Sequence, residues 1–116
     1  MSHRTMYGSL LAAAVAFGVL SVQAPAFAQD AEAAQLLFKQ NECHKCHNPD
    51  KDKKGPSLKK IAAKYKGKPD SDAKMTDHMT KGAKVKLEDG SEEDHKVLDT
   101  KDPKARKNLI DWMLSH

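Results

Sequence analysis

The sequence predicts an all-α domain of about four short helices, and three observations carry that expectation. Four segments place apolar residues at helical spacing and open on Asp, Ser or Pro. The chain is also poor in core-forming residues: aromatics make up 5% and charged residues 31%, and mean hydropathy is -0.72. A domain this small and lean needs something bulky to close around. The third observation is the run Cys43-His44-Lys45-Cys46-His47, set directly behind the first of the four segments.

Residues 1–28 are read as a targeting segment and left out of the fold. Arg4 is the one charged residue there, an apolar run from Leu10 to Val22 follows, and Ala26-Phe27-Ala28 supplies a small-x-small cleavage pattern. Cleavage after Ala28 leaves residues 29–116 as one domain. The alternative is an uncleaved anchor, but the apolar run is short for a membrane span. No later segment is apolar enough to cross a bilayer, so no stable membrane insertion is expected after processing.

In the first helix Asp30 is the expected cap. Ala31 to Gln40 then carries Ala34, Leu37 and Phe38 on one face, with Glu32 early and Lys39 late, as the helix dipole favours. Asn48 to Gly55 is a polar, turn-rich loop. Pro56 opens a second helix over 57–65, with Leu58, Ile61 and Ala62 on one side, and Gly67 and Pro69 end it. A third helix starts at Asp70 or Ser71, runs to about Lys81 and stops at Gly82, with Met75 and Met79 on its inner face. Val85 and Leu87 alternate ahead of Asp89-Gly90, which allows a small hairpin. The last helix has Asp102 as cap and Pro103 at its first position, then Ala105, Leu109, Trp112 and Met113 on one face.

Cys43, Cys46 and His47 form C-x-x-C-H, the attachment signature of a c-type haem. Two thiols three positions apart can each add to one vinyl group of a single porphyrin, and the following histidine then lies under the iron as proximal ligand. Three other readings compete. In an exported protein the cysteines can form a disulfide, or act as a thioredoxin-like pair. The latter needs a preceding strand and a βαβ context, whereas the flanks here are helical. A zinc site would use adjacent Cys46 and His47, an awkward pairing, and would need a fourth ligand. One covalently bound haem c is the reading the spacing favours.

With these residues in place, the chain from residue 29 onward resembles a class I cytochrome c of the small bacterial monohaem type. The likeness rests on Leu37-Phe38-Lys39 ahead of Cys43, on the attachment motif, on Gly55-Pro56-Ser57-Leu58, on Met79-Thr80-Lys81-Gly82, and on Leu109 to Leu114. It implies the class I cytochrome c fold, with short helices wrapped around one covalently bound haem and the first and last helices crossing. Phe38 would then meet Leu109 and Trp112. It also implies that the Pro56 carbonyl accepts from Nδ1–H of His47 and holds the proximal ring.

In the family the sixth iron ligand is usually a methionine in the loop before the final helix. Residues 83–101 contain none. His95 lies at nearly the distance upstream of Trp112 where that methionine would be, so it is expected to replace it. Met79, Met75 and His78 are the rivals. The methionines match packed helix residues, and His78 is expected at the haem edge or in solvent. His44 sits inside the attachment loop, His116 is expected to be free, and Met113 is expected in the core.

The expected role is periplasmic one-electron transfer between redox proteins, at low potential because histidine replaces the ligand that favours reduced iron. No acid, base or nucleophile constellation is visible, so the protein is not read as an enzyme. Lys45, Lys51, Lys53, Lys54, Lys59, Lys60, Lys64, Lys66 and Lys68 follow or interrupt the motif. They form a basic collar suited to acidic patches on redox partners, or simply a solvating surface. Glu88, Asp89, Glu92, Glu93 and Asp94 are an opposing acidic run. A net charge of +4 with few aromatics argues against nucleic acid, and a monomer is expected. Two other functions stand beside electron transfer: binding of oxygen or nitric oxide at a labile or open sixth site, and service as the haem subunit of a periplasmic dehydrogenase.

Overall fold

The computed structural model describes residues 30–116, together with Met1, Gly18 and Val19. The targeting segment expected over 1–28 lies outside the described residues apart from those three positions.

Four helices and one small hairpin make up the domain: α1 (Ala31–Gln40), α2 (Leu58–Tyr65), α3 (Ser71–Thr80), β1 (Lys84–Lys86), β2 (Glu92–Asp94) and α4 (Pro103–Leu114). A single 3-10 turn over Cys43–Lys45 follows α1. Helix starts follow side-chain capping. Asp30 accepts from the Ala33 amide at 3.0 Å and Asp102 from Lys104 at 3.0 Å, each satisfying an amide the helix leaves unpaired. Ser57 caps α2 through the Lys60 amide, so that helix begins at Leu58, one residue later than expected. At the other end of α3, Gly82 adopts φ 62°, the left-handed turn that ends a helix with little strain.

α4 is the hub, packing against α1, α2 and α3. Phe38 of α1 meets Trp112 of α4 edge to face, with ring centroids 5.3 Å apart, a favoured aromatic geometry. Leu58, Ala62, Met75, Met79, Leu109 and Met113 complete the buried core. Ile110 and Leu98 are buried as well; the expected apolar face of α4 had not included Ile110. The start of α1 is clamped reciprocally to α4. The Asp30 amide donates to Asn108 Oδ1 at 2.7 Å, and Asn108 Nδ2 returns a bond to the Asp30 carbonyl at 2.8 Å.

The hairpin pairs Lys84 with Asp94, Val85 with Glu93 and Lys86 with Glu92. Its turn closes with the Leu87 amide donating to the Ser91 carbonyl at 2.8 Å. Both strands lie largely in solvent, and the strap 95–99 runs from β2 back across the domain. Among the described residues no helix is long and apolar enough to cross a membrane.

Candidate functional site

A cavity of about 750 Å³ opens where α1, the attachment loop, α3 and the strap meet. The expected attachment and ligand residues, rivals included, line it: Cys43, Cys46, His47 and Pro56, with Met75, His78, Met79 and His95. Both cysteines are free thiols and part-buried. Burial pushes the Cys43 thiol up, so the unreacted group stays protonated.

The loop from Cys43 to Ser57 is folded by its own hydrogen bonds. The Cys46 and His47 amides both donate to the Cys43 carbonyl, the Gly55 amide to the Cys46 carbonyl, and the Leu58 amide to the Asn48 carbonyl, at 2.9 to 3.1 Å. His47 Nδ1 lies 2.7 Å from the Pro56 carbonyl oxygen. A carbonyl can only accept, so Nδ1 carries a proton, and in the neutral tautomer it is Nε2 that has the lone pair. Gly55 is what lets the ring lie there: a Cβ at this position would come within 2.8 Å of His47 Cε1 and 3.2 Å of Nδ1.

His95 is arranged in the same way. Its Nδ1 donates to the Lys96 carbonyl at 2.9 Å, leaving Nε2 free. The His47 and His95 rings stand with centroids 6.2 Å apart. Burial, then the neighbouring His78, holds the His95 imidazole below the usual histidine range, which favours the neutral form a metal requires. His78 lies against His95 with centroids 4.4 Å apart, on the exposed side of α3. Met75 and Met79 are buried in the core cluster with Leu109 and Met113. His44 is exposed. His116, expected to be free, is tied instead: its Nδ1 donates to the Trp112 carbonyl at 3.0 Å and its ring packs on Trp112 at 4.8 Å.

The cytochrome c family model matches residues 31–116. The chain belongs to that family. Its structure is similar to the crystal structure of the class 1 cytochrome MtoD from Sideroxydans lithotrophicus ES-1, with 53% identity and a TM-score of 0.72, covering 76% of this chain and 97% of the other. It is also similar to wild-type Nitrosomonas europaea cytochrome c552, with 31% identity and a TM-score of 0.56 over 70% of this chain and 96% of that one. Cytochrome c-551 of Stutzerimonas stutzeri is 50% identical over 50 residues, 43% of this chain. That match spans 44% of the relative's length. Fold and sequence therefore agree on a class I cytochrome c, with four helices and a small sheet.

A class I cytochrome c carries one covalently bound haem c, and the residues around this cavity fit that group. The walls are mainly apolar, two free thiols stand at one edge, and two imidazoles present unprotonated nitrogens. The His47 and His95 ring centroids, 6.2 Å apart, leave room for both imidazoles to reach one metal ion.

Sequence reading had missed Asn41, Glu42 and Lys96. Asn41 is buried beside the cavity, and Glu42 bonds both Lys45 and Lys96. The basic collar is also thinner than its lysine count. Lys45, Lys59 and Lys60 pair with Glu42, Asp50 and Asp52. Lys54, Lys64 and Lys86 line the cavity without a carboxylate partner among the described residues.

Proposed function

We propose that this cytochrome is a periplasmic one-electron carrier, exported by residues 1–28, with His47 as proximal and His95 as distal iron ligand and with Cys43 and Cys46 as the points of haem attachment. The observation that carries the reading is the facing pair of imidazoles, each turned by a backbone carbonyl so that Nε2 is free. Haem c, when bound, supplies the gain and loss of a single electron at iron.

The chain's own work is to hold still. Pro56 and Gly55 fix the His47 ring, and the Lys96 carbonyl fixes His95, so neither imidazole needs to reorient when charge changes. Phe38, Leu109 and Met113 line the cavity with buried apolar surface and would keep water from a haem held there. With histidine in place of methionine, the potential lies below that of His/Met relatives. Lys54, Lys64 and Lys86, exposed, lining the cavity and without a carboxylate partner among the described residues, give redox partners bearing acidic patches a surface to meet.

His95→Ala tests the ligand set. Loss of the low-spin electron paramagnetic resonance signal supports the reading, whereas an unaltered signal assigns the sixth position to Met79, Met75 or His78. A potentiometric titration then separates a low value, as expected, from the higher one typical of His/Met iron.

A further inference from the structure

The strap that carries His95 is fastened on two sides. Toward α3 the fastenings run backbone to backbone: the Leu98 amide donates to the Met79 carbonyl at 2.8 Å, and the His95 amide to the Ala83 carbonyl at 2.9 Å. Side-chain substitution leaves those groups in place. On the other side the fastenings come from the two residues just ahead of Cys43. Asn41, only 5% exposed, accepts the Asp99 amide on Oδ1 at 2.7 Å while its Nδ2 donates to the Leu37 carbonyl at 3.0 Å. Glu42 accepts Lys96 Nζ at 2.5 Å and Lys45 Nζ at 2.7 Å.

Two details set this corner apart from an ordinary surface contact. Glu42 is the only non-glycine residue with positive φ among the described residues, at 59°, a conformation that persists where surroundings hold it. Lys96 also supplies the carbonyl that orients His95 Nδ1. One residue thus joins the ion pair to the ring's own support. The hairpin ahead of the strap offers little grip, because its strands are short and largely solvated.

We propose that Asn41 and Glu42 form a clasp that holds the strap shut over the sixth iron position, and that its strength sets how readily an added small ligand reaches the iron. The inference rests on His95 as distal ligand. Both clasp residues are positioning residues, acting through the strap backbone. Opening exchanges one dative bond, from His95 Nε2, for one from the incoming molecule, with no change of oxidation state.

The test is the rate of carbon monoxide binding to the reduced, haem-loaded protein, followed by absorption. Lys96→Gln and Glu42→Gln are each expected to bind about fivefold faster, the upper range for an exposed ion pair. The double variant is expected to match the faster single, because both remove one shared interaction. Asn41→Ala, which breaks a buried bond, is expected to gain about tenfold or more. Should Asn41→Ala fail to fold, the exposed pair still decides. Lys74→Gln, which removes the distant pair with Asp70, is expected to bind at the unaltered rate. Unaltered rates in both Lys96→Gln and Glu42→Gln, strictly additive effects in the double, or equal acceleration in Lys74→Gln would each overturn the clasp. His95→Ala separates this from the reading beneath it. Prompt binding in that variant upholds His95 as ligand whatever the clasp variants do, and slow binding removes the ligand assignment itself.

Discussion

The attachment loop and the distal strap present the same kind of ring to the same cavity, yet they are built differently. Cys43 to Ser57 closes largely on itself: apart from the Glu88 amide, which donates to the Lys54 carbonyl, its hydrogen bonds join residues within a dozen positions of one another, and it leads straight into the buried N-terminus of α2. The strap 95–99 has one bond of similar reach, to Ala83, but its other partners lie farther along the chain, Met79 on one side and Asn41 and Glu42 on the other. Local bonds lose little entropy when they form, and long-range ones depend on the rest of the fold being in place. One side of the site is therefore made by its own segment, and the other is kept in position by neighbours. Segments held by few contacts open locally before the whole domain does.

The largest test of that contrast compares substitutions on the two sides. Cys43→Ala with Cys46→Ala is expected to yield a protein that surrenders its haem to acidic organic solvent, whereas His95→Ala retains it and changes only the ligand field. The check is colour partition followed by absorption of the protein fraction. Loss of haem from His95→Ala would erase the asymmetry. Next in size is Gly55→Ala. The added methyl must displace the His47 ring, at 2.8 Å from Cε1, and denaturant unfolding should show a loss of about 1–3 kcal/mol. An unchanged midpoint would mean that the proximal loop is slack.

The smallest effect concerns acid. Hydrogen bonds from Lys45 and then Lys96 lower the Glu42 carboxyl from about 4.5 to about 2. A group depressed in the folded state stabilises above its unfolded value and loses that contribution as pH falls through the folded one. The thermal-midpoint gap between the unaltered protein and Glu42→Gln is thus expected to be complete above about pH 4.5 and gone near pH 2. A gap of constant size across that range would show that the ion pairs do not act through charge.

Helix positions were legible in the sequence because capping and periodicity are local. Asp30, Ser57 and Asp102 each bond an amide two or three residues on, and Gly82 turns the chain where a glycine was needed. The Phe38–Trp112 contact followed from the family resemblance. The strap's fastening did not show itself. Asn41 and Asp99 are 58 positions apart, and Glu42 and Lys96 are 54; no spacing rule links such pairs. Nor does a count of lysines reveal which ones carboxylates have already neutralised. His116 escaped for a similar reason, since its place beside Trp112 depends on how the last turn of α4 ends.

The reciprocal amide clamp between Asp30 and Asn108 leaves almost no slack ahead of α1. A fusion partner or surface tether joined immediately before Asp30 would tug directly on the crossing of the first and last helices. Immobilising the protein for voltammetry through that end therefore calls for a flexible spacer, and without one the applied load would fall on the helix pair that shelters the redox centre.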